Sequence, residues 1–197
     1  MIIVCCGFAG SGKDQVAKRL IDKHNFIKIS FATILKDILS VLFSWKRDMI
    51  EGNTEESRKW RETIDEWWST KLNIPNFTPR WAMQNIGTDL FRNHFNQDIW
   101  ILALEKRLEE LKDKNIVITD CRFENEYNFL KKITNKFLYI ERCKPPEWFY
   151  TKKFPTDLHV SEYEWIKCLF SNDDNIVTKI PNYGTIEELN EIIDFLF

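Results

Sequence analysis

The chain has 197 residues, 44% hydrophobic and 29% charged, and its 28 Lys plus Arg against 30 Asp plus Glu leave a net charge of −2. That length suits one domain with a sizeable core, and a near-neutral balance argues against a protein that grips a nucleic-acid backbone, while leaving room for a small anionic ligand held by local cations. Six Gly and six Pro exclude a collagen-like or long flexible chain, and no apolar run approaches the ~20 residues that span a bilayer.

Residues 2–6 form a short continuous apolar run, as expected of a strand buried on both faces. A Gly-rich turn follows, then residues 13–24 read as a helix with Val16, Ala17, Leu20 and Ile21 on one side. Strand, glycine loop and helix in that order open an α/β fold. Residues 26–30 predict a second short strand, and residues 33–45 a helix with Ile34, Leu35, Ile38, Leu39, Leu42 and Phe43 at helical spacing. From 46 to 77 the chain turns polar and Trp-rich, with a helix predicted over 55–69. Pro79 suits the first turn of a helix running to about 93, with Thr78 as its N-cap, and Asp98 starts another carrying Ile101, Leu102, Leu104, Leu108 and Leu111. Residues 115–120 predict a buried strand ending on Asp120, 123–133 a helix, and 136–141 a further strand. The aromatic stretch 143–171, with two consecutive prolines, reads as a mobile flap. Residues 185–197 close the chain as a helix packed by Ile186, Leu189, Ile192, Ile193 and Leu196.

The five cysteines are odd in number and contain no C-x-x-C pair, and the three histidines show no metal-ligand spacing. Met1-Ile2-Ile3-Val4 lacks the basic lead of a secretion signal. A reducing, cytoplasmic setting is the expectation.

The segment Gly7-Phe8-Ala9-Gly10-Ser11-Gly12-Lys13 fits G-x-x-x-x-G-K directly between strand and helix. Such a loop turns consecutive N–H groups toward phosphate oxygens, the helix N-terminus adds positive potential, and Lys13 reaches the outer phosphates. Asp14 stands where a Ser or Thr usually ligates Mg²⁺, so it either holds the metal differently or caps the helix. Asp120, at the carboxyl end of its strand, falls beside the phosphate loop in open α/β sheets. Arg80, Arg92, Arg122 and Arg142 all lie at predicted element ends, where guanidinium forks could offset the charge of a transferring phosphoryl group.

With these residues in view, the chain resembles the deoxynucleoside monophosphate kinases of large DNA viruses and phages over most of its length. The resemblance rests on Gly10-Ser11-Gly12-Lys13-Asp14; Ser30-Phe31-Ala32 with Leu35-Lys36; Thr78-Pro79-Arg80, Gln84, Gly87-Thr88, Arg92 and Asp98-Ile99-Trp100; Asp120-Cys121-Arg122-Phe123-Glu124-Asn125-Glu126; and His159-Val160-Ser161-Glu162. It implies a three-layer P-loop fold with a central, mainly parallel sheet, a helical acceptor-binding excursion over about 46–112 and a lid over about 143–171. It implies ATP as phosphate donor, held by Gly10, Ser11, Gly12, Lys13, Asp14 and Gln15, with Mg²⁺ near Asp14 and Asp120. The acceptor would meet Phe31, Lys36, Arg80, Gln84, Gly87, Thr88, Arg92, Trp100, Asp120, Arg122 and Glu126, with Trp100 either stacking on a base or packing under it. Lys13, Arg80, Asp120, Arg122 and Arg142 would carry the transfer, Glu126 would face the nucleoside, and Arg142 with the lid would close over ATP.

Partners would then be small nucleotides, with neither a nucleic-acid polymer nor a membrane, and a homodimer is left open. Phosphomevalonate kinase shares the Gly-Lys-Asp loop but lacks the G-T…R…D-x-W and H-x-S-E segments. A GTPase-like switch would need N-K-x-D, and Asn135-Lys136 is not followed by the Asp.

Overall fold

The computed structural model describes all residues except 152, 154–159, 161–162 and 170–175, and for 167–169 the backbone alone. Its strands are Ile2–Cys6 (β1), Phe26–Ile29 (β2), Asn115–Ile118 (β3), Lys136–Glu141 (β4) and Val177–Pro181 (β5). Its helices are Lys13–His24 (α1), Ala32–Phe43 (α2), Arg47–Glu51 (α3), Glu55–Arg61 (α4), Glu66–Leu72 (α5) and Pro79–Gln84 (α6). A π-helical stretch, Asn85–Phe95, continues α6. There follow Ile99–Glu110 (α7), Glu124–Ile133 (α8), Glu147–Thr151 (α9), Glu164–Leu169 (α10) and Ile186–Leu196 (α11). The chain divides into two compact units, residues 1–30 with 107–197, and residues 31–106.

The first unit is built on the sheet, whose strands are all parallel in the order β2-β3-β1-β4-β5. Ile3, Cys5, Val117, Leu138, Ile140 and Ile180 pack with Val16 and Leu20 of α1 and with Leu189 and Ile193 of α11. The alternate residues point the other way: Phe137 meets Tyr127 of α8, and Tyr139 meets Phe149 of α9 and Trp165 of α10. Helices on both faces make the three-layer α/β arrangement. They also explain why β1 and β3 read as unbroken apolar runs instead of alternating ones.

The second unit is helical, and its core is the Trp-rich stretch. Phe43 stacks on Trp45, and Phe77 and Trp68 both meet Phe43 edge-on. Trp67 stays outside at 59% exposed. Two expectations change here. The helix predicted over 55–69 is two helices, because Asp65 leaves the helical path to cap α5, accepting from the Trp68 N–H at 3.0 Å. Its other carboxylate oxygen takes the Trp45 indole N–H at 2.8 Å, so one side chain both splits the helix and ties it to the core. The helix from Pro79, capped by Thr78 as expected, turns π-helical after Gln84 instead of continuing as an α-helix.

In the first unit, β5 is an element the sequence left unassigned, and Ile186 is 55% exposed on α11 instead of packed. Among the described residues no helix is long and apolar enough to cross a membrane.

Candidate active site

β1 delivers the chain into the phosphate loop, and α1 begins at Lys13. Residues 7–12 turn tightly enough that the Ser11 N–H donates to the Phe8 carbonyl at 3.1 Å. Lys13 folds back over this loop, its Nζ donating to the carbonyls of Gly7 and Phe8, each at 2.7 Å. The ammonium is thereby parked inside the loop, where incoming phosphate oxygens can replace those carbonyls. Burial, and after it the nearby Arg122 guanidinium, hold the Lys13 ammonium below the ordinary lysine value. Gly10 is exposed, Ser11 is buried at 4%, and Gln15 is half-buried on the first turn of α1.

Asp14 does not occupy the cap position, which belongs to Gly12 with no side-chain hydrogen bond. Its exposed carboxylate takes a bond from Lys28 Nζ on β2 at 2.8 Å. Asp120 follows β3, and its Oδ2 accepts from the Ser30 hydroxyl at 2.6 Å. Among the described residues no three His, Cys, Asp or Glu side chains converge as a metal cage. Two carboxylates at this end of the sheet suit Mg²⁺, which keeps several waters and leans on substrate phosphates rather than on a protein cage.

Arg122 leaves the strand end two residues after Asp120 and shares a cavity of about 320 Å³ with Lys13, Phe8, Thr119, Trp148 and Trp165. Glu126 gives a correction. Its side chain is 2% exposed, and Oε2 accepts from the backbone N–H of Arg122 at 2.7 Å and of Phe123 at 3.2 Å. A buried carboxylate bonded to main chain at a helix N-terminus shapes the turn that presents Arg122. The expectation that it faces a nucleoside is not what this geometry provides. Arg142, exposed after β4, sends Nη1 toward the Gly10 carbonyl at 3.5 Å.

The remaining acceptor residues lie in the helical unit. Phe31 precedes α2 and is buried. Lys36 Nζ is 2.7 Å from Glu51 Oε1, and Arg47 donates to the other oxygen at 2.6 Å. Those bonds, working against burial, hold Glu51 below the ordinary carboxylate value. Arg80 Nε donates to Glu62 at 2.8 Å, while Gln84 and Thr88 are half-buried. Gly87 sits in the π-helical stretch against Leu35, where a Cβ would come within 2.6 Å of Leu35 Cδ2. Its carbonyl accepts the Trp100 indole N–H at 2.9 Å. Of the two roles open to Trp100, packing is the one seen, at 5% exposed. Arg92 is also turned inward, at 7% exposed, with Nη1 donating to the Gln97 carbonyl at 3.3 Å.

The sequence motifs did not single out Phe8, whose ring meets Trp148, Phe149 and Trp165 at centroid distances of 5.4–5.8 Å. The second position of the phosphate loop is thus packed directly against α9 and α10. An apolar residue in an otherwise small, polar loop was the available signal. Of the late motif, His159, Ser161 and Glu162 lie outside the described residues, as does part of the stretch expected to form the lid.

The family model described as "Deoxynucleotide monophosphate kinase" matches residues 50–193. A protein of Acanthamoeba polyphaga mimivirus, provisionally named a deoxynucleotide monophosphate kinase, is 33% identical over 95% of this chain and 91% of its own length. The deoxynucleoside-5'-monophosphate kinase of Escherichia phage T5 is 26% identical over 64% of this chain and 70% of its own. An unliganded sugar kinase from a Janibacter species superposes over 97% of this chain and 90% of that one, at 14% identity and a TM-score of 0.45, too loosely to bear on the site.

Proposed function

The chain belongs to the deoxynucleotide monophosphate kinase family, and we propose that it moves the γ-phosphate of ATP onto a deoxynucleoside monophosphate using the residues gathered at the carboxyl ends of β1 and β3. An oxygen of the acceptor phosphate attacks the γ-phosphorus, the bond to the β,γ-bridging oxygen breaks, and ADP leaves with that oxygen. The attacking monoester is already ionised, so no general base is required, and catalysis reduces to alignment and to offsetting charge.

Lys13 and the main chain of Gly10, Ser11 and Gly12 hold the donor phosphates, with Asp14 and Gln15 on the first turn of α1. Arg122 spans donor and acceptor phosphates, and a bidentate fork suits that place better than a point charge. Asp14 and Asp120 are the carboxylates that would hold Mg²⁺, which supplies charge neutralisation on the phosphate oxygens when bound. Arg142, which reaches toward the phosphate loop from the end of β4, would close on ATP with Trp148 and Trp165 and exclude water, so that transfer outruns hydrolysis. Arg80, with Phe31, Lys36, Gln84, Gly87 and Thr88, recognises the acceptor, while Arg92 and Trp100 support that surface from beneath. Glu126 holds the main chain of Arg122.

The observation that carries this reading is the pairing of Lys13 and Arg122 on one cavity beside the phosphate loop, close enough for the guanidinium to act on the ammonium. An acceptor screen tests it: ADP release with ATP and each of dAMP, dGMP, dCMP, dTMP, one ribonucleoside monophosphate and phosphomevalonate. Turnover that requires a deoxynucleoside monophosphate is the expected result. Turnover best with phosphomevalonate, or ATP hydrolysis indifferent to any acceptor, contradicts it.

A further inference from the structure

Asn182 directly follows β5, outside every motif that pointed to the site. It is 8% exposed, and its backbone N–H donates to the Glu141 carbonyl at 2.8 Å, which anchors it to the end of β4. Its side-chain Nδ2 donates to the Ser11 carbonyl, also at 2.8 Å, 171 residues away in the phosphate loop. A peptide unit is planar and trans, so a restraint on the Ser11 C=O also fixes the Gly12 N–H, on the opposite side of the same plane. Among the described residues the buried Ser11 hydroxyl has no hydrogen-bond partner, and it does not share this task. Position 12 is matched to the contact. Gly12 has φ 105°, and a Cβ there would lie 2.4 Å from Asn182 Nδ2, so a side chain would push the amide off the carbonyl.

We propose that Asn182 is a positioning residue for the phosphate donor, presetting the Ser11–Gly12 peptide so that the Gly12 N–H meets ATP without reorganising. This rests on reading residues 7–13 as the ATP phosphate site. Preorganised donors gain their effect because the cost of orienting them is met during folding.

The test compares Asn182→Ala and the near-isosteric Asn182→Asp with the parent, measuring ATP and ADP affinity by calorimetry, KM for ATP and for the acceptor, and Tm. Both variants are expected to lose about tenfold in ATP and ADP affinity, roughly 1.4 kcal/mol. Asn182→Asp is expected to lose more, because a carboxylate faces the Ser11 carbonyl and the phosphates. Acceptor KM should stay within about twofold of the parent, a split that general loosening of the fold would not produce. A folded variant with ATP affinity within about twofold of the parent overturns the proposal. So does an equal loss for donor and acceptor, or failure of both variants to fold, since Asn182 would then be a packing residue. If the parent binds ATP but phosphorylates no deoxynucleoside monophosphate, the acceptor assignment fails, while the ATP affinities still decide the role of Asn182.

Discussion

Lys13 keeps its charge in a place that disfavours it. Burial and Arg122 both push its ammonium toward the neutral form, and the carbonyls of Gly7 and Phe8 hold it in place until phosphate arrives. Because the folded-state value lies below the ordinary lysine value of about 10.4, the charge is lost earlier as pH rises. The alkaline limb of kcat/KM for ATP is therefore expected below that pH. Arg122→Met should lower the rate and also move the limb upward, since one of the two causes has gone. A limb that stays where it was in the variant would detach Arg122 from Lys13. Glu126 makes a different claim. Glu126→Ala orphans two backbone N–H groups in a half-buried turn, which should cost roughly 1–3 kcal/mol in urea unfolding, and it should depress transfer to every acceptor by a similar factor. Loss confined to one base would restore a nucleoside contact. The motif around Asp120 and Arg122 was legible because an apolar strand ending on an acid has a spacing of its own. The direction of the Glu126 side chain was not, since its bonds to the main chain of Arg122 and Phe123 follow a Phe at the cap position instead of the Ser, Thr, Asp or Asn that marks such a turn in a sequence.

Elements differ in how much of themselves they write into the chain. β1, the glycine loop and α1 are local. Their apolar run, turn residues and 3.6-residue spacing lie within 24 consecutive residues, and the structure has them at the expected places. β5 has no such run: Val177, Thr178, Lys179 and Ile180 read apolar, polar, polar, apolar, neither a buried run nor a strict alternation, and pairing with β4 makes them a strand. The π-helical stretch is equally silent, because its hydrogen-bond register, seen in the Asn96 N–H to Phe91 carbonyl bond of 2.9 Å, has no residue signature. In the helical unit Asp65 is the decisive break, and its removal is testable. Asp65→Ala deletes an N-cap and strands the buried Trp45 indole N–H, so a loss of about 2–4 kcal/mol in equilibrium unfolding is expected, with far-UV helicity reduced. A loss below about 0.5 kcal/mol would mean that neither bond matters.

At the scale of the whole molecule, one parallel sheet brings residues from distant parts of the chain to its carboxyl ends. β1 supplies the phosphate loop, β3 supplies Asp120 and Arg122, β4 supplies Arg142, and β5 supplies Asn182. Ligand sites in open parallel sheets form at these ends, so the strand order explains why the phosphate loop, the Asp120–Arg122 segment, Arg142 and Asn182 lie far apart in sequence and together at one end of the sheet. The central claim is phosphoryl transfer through Lys13. The most direct measurement follows ATP labelled at the γ-phosphate, incubated with a deoxynucleoside monophosphate and either the parent or Lys13→Ala, with fold integrity checked by Tm. The parent is expected to place label in the deoxynucleoside diphosphate, and the folded variant to lose more than about tenfold of that rate, at least ~1.4 kcal/mol in the barrier. Label appearing only as inorganic phosphate with the parent, or transfer by a well-folded Lys13→Ala within about tenfold of the parent, would contradict the account.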